Sequence, residues 1–165
     1  MIKKYQNVFS FEDYLKLREY LSEPNWSYGH KSIAHSSKYF WEMELSENKF
    51  FSEELFSRVK ELIGEYSVEK VYANGQTYGL DGEFHYDCSP SDTSRYTFLY
   101  YCNEDWDPSF LGYTVFKDSD GNITHCYPEP NSAIIFPGNI LHYGQAPSRD
   151  FHGLRMTLAY KLRKV

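Results

Sequence analysis

The sequence predicts a mainly-β domain with flanking helices (α+β): a two-sheet jelly roll, or double-stranded β-helix, of about eight antiparallel strands braced by N-terminal helices. Three observations predict it. Aromatic residues make up 19% of the chain, with sixteen Tyr, and residues with an apolar face and a polar tip favour strands and pocket walls. After Val68, short aromatic and β-branched runs alternate with the turn clusters YANGQTYGLDG, CSPSDTS, KDSDGN, PEPNS, FPGN and APSRD, and regular turns at that spacing mark antiparallel structure. The 165 residues suffice for one domain with a real core and are short for two. One domain over 1–165 is therefore expected, with helical support over about 1–67 and the jelly-roll core over about 68–165.

The elements follow in order. Apolar residues Phe11, Tyr14, Leu15, Leu17 and Leu21 form a helical stripe, with Ser10 as N-cap and Pro24 beyond its end. A second helix is predicted from about Glu53 to Tyr66, where Leu55, Phe56, Val59, Leu62 and Ile63 recur at steps of three and four; Ser52 would cap it and Gly64 lies near its end. Strands are predicted at roughly Glu69–Tyr72, Glu83–Tyr86, Tyr96–Tyr101, Tyr113–Lys117, Ile123–Tyr127, Ser132–Phe136, Ile140–Gly144 and Arg155–Leu162.

Charge and composition exclude several function classes. Seventeen Lys+Arg against 23 Asp+Glu give a net charge of −6, and no window concentrates the basic residues, which argues against nucleic acid as a partner. Lys3-Lys4 and Lys161 with Arg163-Lys164 read as solvated termini. Cys88, Cys102 and Cys126 form neither a CxxC pair nor a dense framework, so reduced thiols in a cytoplasmic protein are expected. The N-terminus has no apolar leader core and no run of eighteen apolar residues occurs, so neither export nor a membrane span is predicted.

His85-Tyr86-Asp87 places an imidazole and a carboxylate two positions apart, on one face of an extended strand. His142 follows 142 − 87 = 55 residues later in NILHYG, where a jelly roll makes distant strands neighbours. Two His and one carboxylate on one face of an octahedral metal leave three positions open, an arrangement suited to non-haem Fe(II). Arg155, 155 − 142 = 13 residues beyond His142, sits in the apolar run GLRMTLAYKL. A buried guanidinium needs an anionic partner, and a ligand carboxylate held by two parallel hydrogen bonds would serve. His30, His35, His125 and His152 lack partners at ligand spacing and read as surface or strand histidines, and Asp118–Asn122 as a hairpin turn.

From Tyr78 to Leu162, about half the chain, the sequence resembles the prolyl 4-hydroxylase branch of the 2-oxoglutarate/Fe(II) oxygenases. The resemblance is carried in order by TYGLDGEFHYD, TFLYYCNEDWDPSFLGYTVF, EPNSAIIFPGNILHYG and LRMTLAYKL. It implies that His85, Asp87 and His142 hold the metal and that Arg155 pairs with the C5 carboxylate of 2-oxoglutarate. It further implies that Tyr78 and Tyr101 contact the cosubstrate and that Leu99 and Val115 line its pocket. Two departures occur: the family often has Gly-Gly where this chain reads Leu111-Gly112, and a family arginine falls on Ser94, with Arg95 one place away. The loops Cys88–Arg95 and Asn103–Phe110, with Arg95 and Trp106, are the segments expected to meet substrate.

The activity so implied is hydroxylation with Fe(II), 2-oxoglutarate and O2, and ascorbate as reductant, on proline in a peptide or protein. Two alternatives stand beside it: hydroxylation of a free amino acid or other small molecule, and a non-catalytic jelly-roll module that keeps the site for binding.

Overall fold

The computed structural model describes residues 1–165. Strands β1 (Lys3–Gln6), β2 (Ser27–His30), β3 (Phe40–Glu44), β4 (Tyr66–Gln76), β5 (Arg95–Tyr101), β6 (Thr114–Lys117), β7 (Ile123–Cys126), β8 (Ser132–Pro137), β9 (Leu141–Gly144) and β10 (Arg155–Lys164) accompany helices α1 (Phe11–Ser22) and α2 (Phe56–Ile63). The large sheet has the order β1-β8-β5-β10-β4-β3-β2 and the small one β7-β6-β9. This is the expected jelly roll, with two strands more than predicted. No helix is long and apolar enough to cross a membrane.

The first helix begins where its sequence directs: the Ser10 side chain accepts from the Asp13 amide at 3.1 Å, satisfying one of the free N–H groups of the first turn. The second starts earlier than its periodicity predicts. A π-helical turn, Phe50–Leu55, precedes α2, so Ser52 lies inside the helical run instead of capping it and donates to the Asn48 carbonyl. Asn48 itself supplies the stop, its side chain accepting from the Phe50 amide at 3.0 Å. The π turn lets Phe50, Phe51, Leu55, Phe56 and Val59 all point into the core. Gly64, with φ +92°, ends α2 in a conformation an L side chain resists, and Tyr66 belongs to β4.

Each central strand of the large sheet shows two different faces. On β10, Leu158, Tyr160 and Leu162 join Val71, Ala73, Phe98 and Tyr100 under the helices as the main core. Arg155, Thr157, Ala159 and Lys161 face the other way, across from the small sheet, where they line a cavity. Register fixes the neighbours: Arg155 opposes Gln76, Thr157 opposes Asn74, Ala159 opposes Tyr72 and Lys161 opposes Lys70 on β4, while Ala159 opposes Leu99 and Lys161 opposes Thr97 on β5.

The predicted strand Glu83–Tyr86 is not regular. Its segment runs beside β9, with Gly82 N–H donating to Gly144 O and a reciprocal His85–His142 backbone pair. Three residue steps on one side (85 − 82) face two on the other (144 − 142), so the ladder carries one extra residue, as at a β-bulge.

Candidate metal centre and cosubstrate cavity

The expected ligand set comes together. Single ligand atoms of His85, Asp87 and His142 all lie within 4.8 Å of one another, with His85 Nε2 at 3.4 Å from Asp87 Oδ1 and His142 Nε2 at 3.6 Å from Asp87 Oδ2. The reciprocal backbone pair holds the two histidines side by side, their ring centroids 4.4 Å apart. Asp87 is held by its amide donating to Gly138 O at 2.8 Å, in the Pro137-Gly138 turn before β9.

The donor chemistry fits a divalent metal. His85 Nδ1 lies 2.8 Å from Glu83 O and His142 Nδ1 2.9 Å from Ile140 O. A carbonyl only accepts, so both Nδ1 atoms carry the proton and both Nε2 lone pairs face the common point. Burial lowers the His142 pKa to about 4, which keeps it in the neutral form that ligates. Burial works against the charge on Asp87, but Lys161, His85 and His142 together hold its carboxyl well below the ordinary range. Thr97 Oγ1 donates to Asp87 Oδ2 at 2.5 Å and the Lys161 ammonium contacts the same oxygen, so Oδ1 is the oxygen left for a metal.

Arg155 stands at the other end of a cavity of about 270 Å³ that both sheets line. It is 2% exposed. Nε donates to Gly112 O at 2.7 Å and Nη1 to Gln76 Oε1 at 2.8 Å, while Nη2 is buried with no partner. Burial moves its pKa down to about 10, and a guanidinium remains charged there. Two glycines make room for it. A Cβ on Gly112, whose φ is +71°, would stand 3.0 Å from Arg155 Cδ, and one on Gly144 would stand 3.2 Å from Gln76 Oε1 and 3.8 Å from Arg155 Nη1. Gly144 and His142 are two residues apart on β9, about 7 Å, and Arg155 and the three candidate ligands line the same cavity.

The other predicted contacts divide. Leu99 lines the cavity, on the rung of Ala159. Tyr101, on the same face of β5 as Leu99, is fully buried between the sheets and donates to Thr114 Oγ1 at 2.8 Å; of the two, Thr114 lines the cavity. Val115 is buried but outside the lining, because alternation on β6 turns Thr114 and Phe116 toward the site and Val115 away. Tyr78 is not brought to the cavity: it sits in the turn after β4, 66% exposed and outside the lining.

Trp106 lies outside the cavity lining. It is buried against Phe110 and Phe151 and donates to Leu111 O, bracing the Gly112 turn from behind instead of facing substrate. Leu111, in place of the family's first Gly, adopts φ +57° and points outward, 40% exposed. Arg95 also lies outside the lining, paired with Glu69 at 3.0 Å on the sheet edge. His30, which the sequence reads as a surface or strand histidine, lines the cavity, bridged to Glu42 at 2.9 Å. Lys161, read as part of a solvated terminus, has turned inward. Gln76, Thr97 and Thr114 are further site residues that spacing did not single out. The cysteines are free thiols, with Cys102 buried.

No family model matches the chain, and neither does any curated protein. Solved structures do. A Trichoplax adhaerens prolyl hydroxylase, in complex with a hypoxia inducible factor oxygen degradation domain peptide fragment, is 17% identical, with TM-score 0.70 over 99% of this chain and 83% of that one. Viral collagen prolyl hydroxylase from Paramecium Bursaria Chlorella virus-1, in a 2-oxoglutarate complex, is 16% identical, with TM-score 0.68 over 99% and 96%. A 2OG-Fe(II) oxygenase family oxidoreductase from Burkholderia pseudomallei is 9% identical, with TM-score 0.73 over 98% and 84%. The chain thus has the jelly-roll fold of the prolyl hydroxylases and their 2-oxoglutarate/Fe(II) oxygenase relatives.

Proposed function

We propose that the protein is a 2-oxoglutarate- and O2-dependent hydroxylase, prolyl 4-hydroxylase-like, acting on proline in a peptide or protein. One observation carries the reading: a two-histidine, one-carboxylate cluster and a buried arginine with an unpartnered Nη2 share one cavity. Nε2 of His85 and His142 and Oδ1 of Asp87 would hold Fe(II), which when bound with 2-oxoglutarate and O2 supplies the oxidising power for C–H hydroxylation.

The chain's own residues bind and orient. Arg155 Nη2 meets the cosubstrate C5 carboxylate, with Gln76 and Gly112 fixing the guanidinium plane. Leu99 and Ala159 form an apolar rung for the methylenes between the carboxylates. Tyr101 acts at one remove, setting the Thr114 hydroxyl that lines the same wall. Phe136 and Phe116 pack on the His142 ring and keep water from its metal-facing edge. Tyr86, 48% exposed at the cavity rim between two ligands, offers a face for a substrate ring. A peptidyl substrate is supported by the structural neighbours described as prolyl hydroxylases.

The test is succinate formation with Fe(II), 2-oxoglutarate, O2 and ascorbate. Turnover above that of His142→Ala is expected, increased by proline-containing peptides that gain one oxygen atom by mass. Stimulation by free amino acids alone would redirect the reading to a small-molecule hydroxylase. Cosubstrate binding with no succinate above the His142→Ala control would make the protein a binding module.

A further inference from the structure

Lys161 is the cation that the fold sets directly against a proposed metal ligand. It leaves β10 on the cavity face, three rungs from Arg155, and its Nζ touches Asp87 Oδ2. It also lies 3.1 Å from Thr97 Oγ1 and 5.8 Å from the centroid of the Tyr72 ring. The two charged side chains are 21% and 9% exposed. Of the other neighbours of Asp87, Thr97 gives a neutral hydroxyl and the two imidazoles carry no permanent charge, so Lys161 is the one side chain touching Asp87 whose positive charge is standing. A buried carboxylate without a counter-charge is costly, so the metal-free fold relies on the Lys161 ammonium.

A divalent ion arriving at Oδ1 meets a carboxylate already neutralised and a positive charge close by. We propose that Lys161 is a positioning residue that serves as the standing counter-cation of Asp87: it stabilises the metal-free protein, holds Oδ2 with Thr97 so that Oδ1 alone is presented, and weakens divalent-metal affinity by its charge. The proposal rests on the metal reading of His85, Asp87 and His142. It predicts a pattern that a purely packing role does not, because removing the lysine should harm the metal-free protein and help the metal.

Two measurements test it. In EDTA, the melting temperatures of Lys161→Met, Asp87→Asn and the double variant form a cycle. Each single change should lower the melting temperature by several degrees, since it strands the other buried charge, and the double variant should recover at least about half of the summed loss. Additive losses overturn the counter-cation role. In the second measurement, Co(II) alone is titrated and read by its visible ligand-field absorption. Lys161→Met should bind roughly tenfold or more tightly than the wild type, and Lys161→Arg, which keeps the charge, within about threefold of it.

Equal or weaker Co(II) binding by Lys161→Met overturns the proposal, as does a Lys161→Met protein that stays unfolded at saturating Co(II). Folding that depends on Co(II) is the expected behaviour at its extreme. Should the wild type give no Co(II) band that His142→Ala removes, the metal reading itself fails, while the metal-free cycle still decides the ion-pair half.

Discussion

The two faces of the large sheet divide the labour of the molecule. Toward the helices, β4, β5 and β10 present Val71, Ala73, Phe98, Tyr100, Leu158, Tyr160 and Leu162, part of a cluster of 21 buried residues. Toward the small sheet the same strands present Gln76, Thr97, Leu99, Arg155, Thr157 and Lys161, and the apolar cluster on that side has only seven. One backbone carries both, because successive side chains on a strand point opposite ways. The dry face holds the register, and the register holds Arg155 against Gln76 and Lys161 against Thr97. A substitution should therefore report chiefly by its face, stability on one and chemistry on the other, with Asp87 and Lys161, each holding the other's buried charge, reporting on both.

The sharpest break between the faces lies at the ligands. Asp87→Ala or His142→Ala should reduce succinate formation to background while the far-ultraviolet circular dichroism keeps its wild-type shape, since neither side chain belongs to the main core. An unfolded spectrum at the assay temperature would mean that the cavity face carries more stability than the few degrees assigned to the Asp87–Lys161 pair. On the opposite face, Leu158→Ala removes a side chain of 0% exposure. It should cost about 2–5 kcal/mol in urea unfolding and leave the 2-oxoglutarate KM of the folded fraction unchanged. Leu158 is flanked by Thr157 and Ala159 of the cavity face, so a large KM change would show that the faces are mechanically coupled.

Arg155→Lys is the intermediate case. An ammonium cannot reproduce the planar grip in which Nε and Nη1 are spent on Gly112 and Gln76 and Nη2 is left for the ligand. The 2-oxoglutarate KM should rise by roughly ten- to a hundredfold, about 1.4–2.8 kcal/mol, with a smaller change in kcat at saturating cosubstrate. A fall in kcat with unchanged KM would remove Arg155 from the cosubstrate site.

The same alternation decides how much of the fold and the site is legible in the sequence. The eight predicted strands all have counterparts except Glu83–Tyr86, whose extra residue against β9 depends on a partner far along the chain. The unpredicted β1, β2 and β3 include KKYQ and SYGH, short edge strands with mostly exposed residues, which carry no period-two signal. His85, Asp87, His142 and Arg155 were legible because metal and carboxylate chemistry restrict residue type. Lys161 was hidden by its company, since Arg163 and Lys164 make the terminus look solvated. Counting in twos from Arg155 through Thr157 and Ala159 reaches it. Gln76 and Thr114 gave no such count, for only the pairing of β4 with β10 and of β6 with β9 brings them to the site. Tyr101 lies within the strand TFLYY and Tyr78 in a turn cluster, and packing separates them further, burying the first and exposing the second.

The smallest effect tests where the cavity face ends. Glu42 on β3 accepts from Lys70 at 3.0 Å and pairs with His30 at 2.9 Å, tying two cavity-lining residues to the outer strands. The His30 hydrogen bond, with help from Lys70 and against burial, lowers the Glu42 pKa to about 2. Folded Glu42 thus binds a proton more weakly than the unfolded chain does. Its contribution is whole above an ordinary glutamate pKa of about 4.5 and is lost as the pH falls toward 2. With a side chain 20% exposed and partly screened, that contribution should be about 1–2 kcal/mol. Urea unfolding at pH 6 and pH 3 should show the wild type losing stability that Glu42→Gln lacks at both values, so the two curves converge in acid. Parallel curves would mean that Glu42 is bystander to both faces, and that the β2–β3 hairpin is held over the cavity by the backbone pairing of β3 with β4 alone.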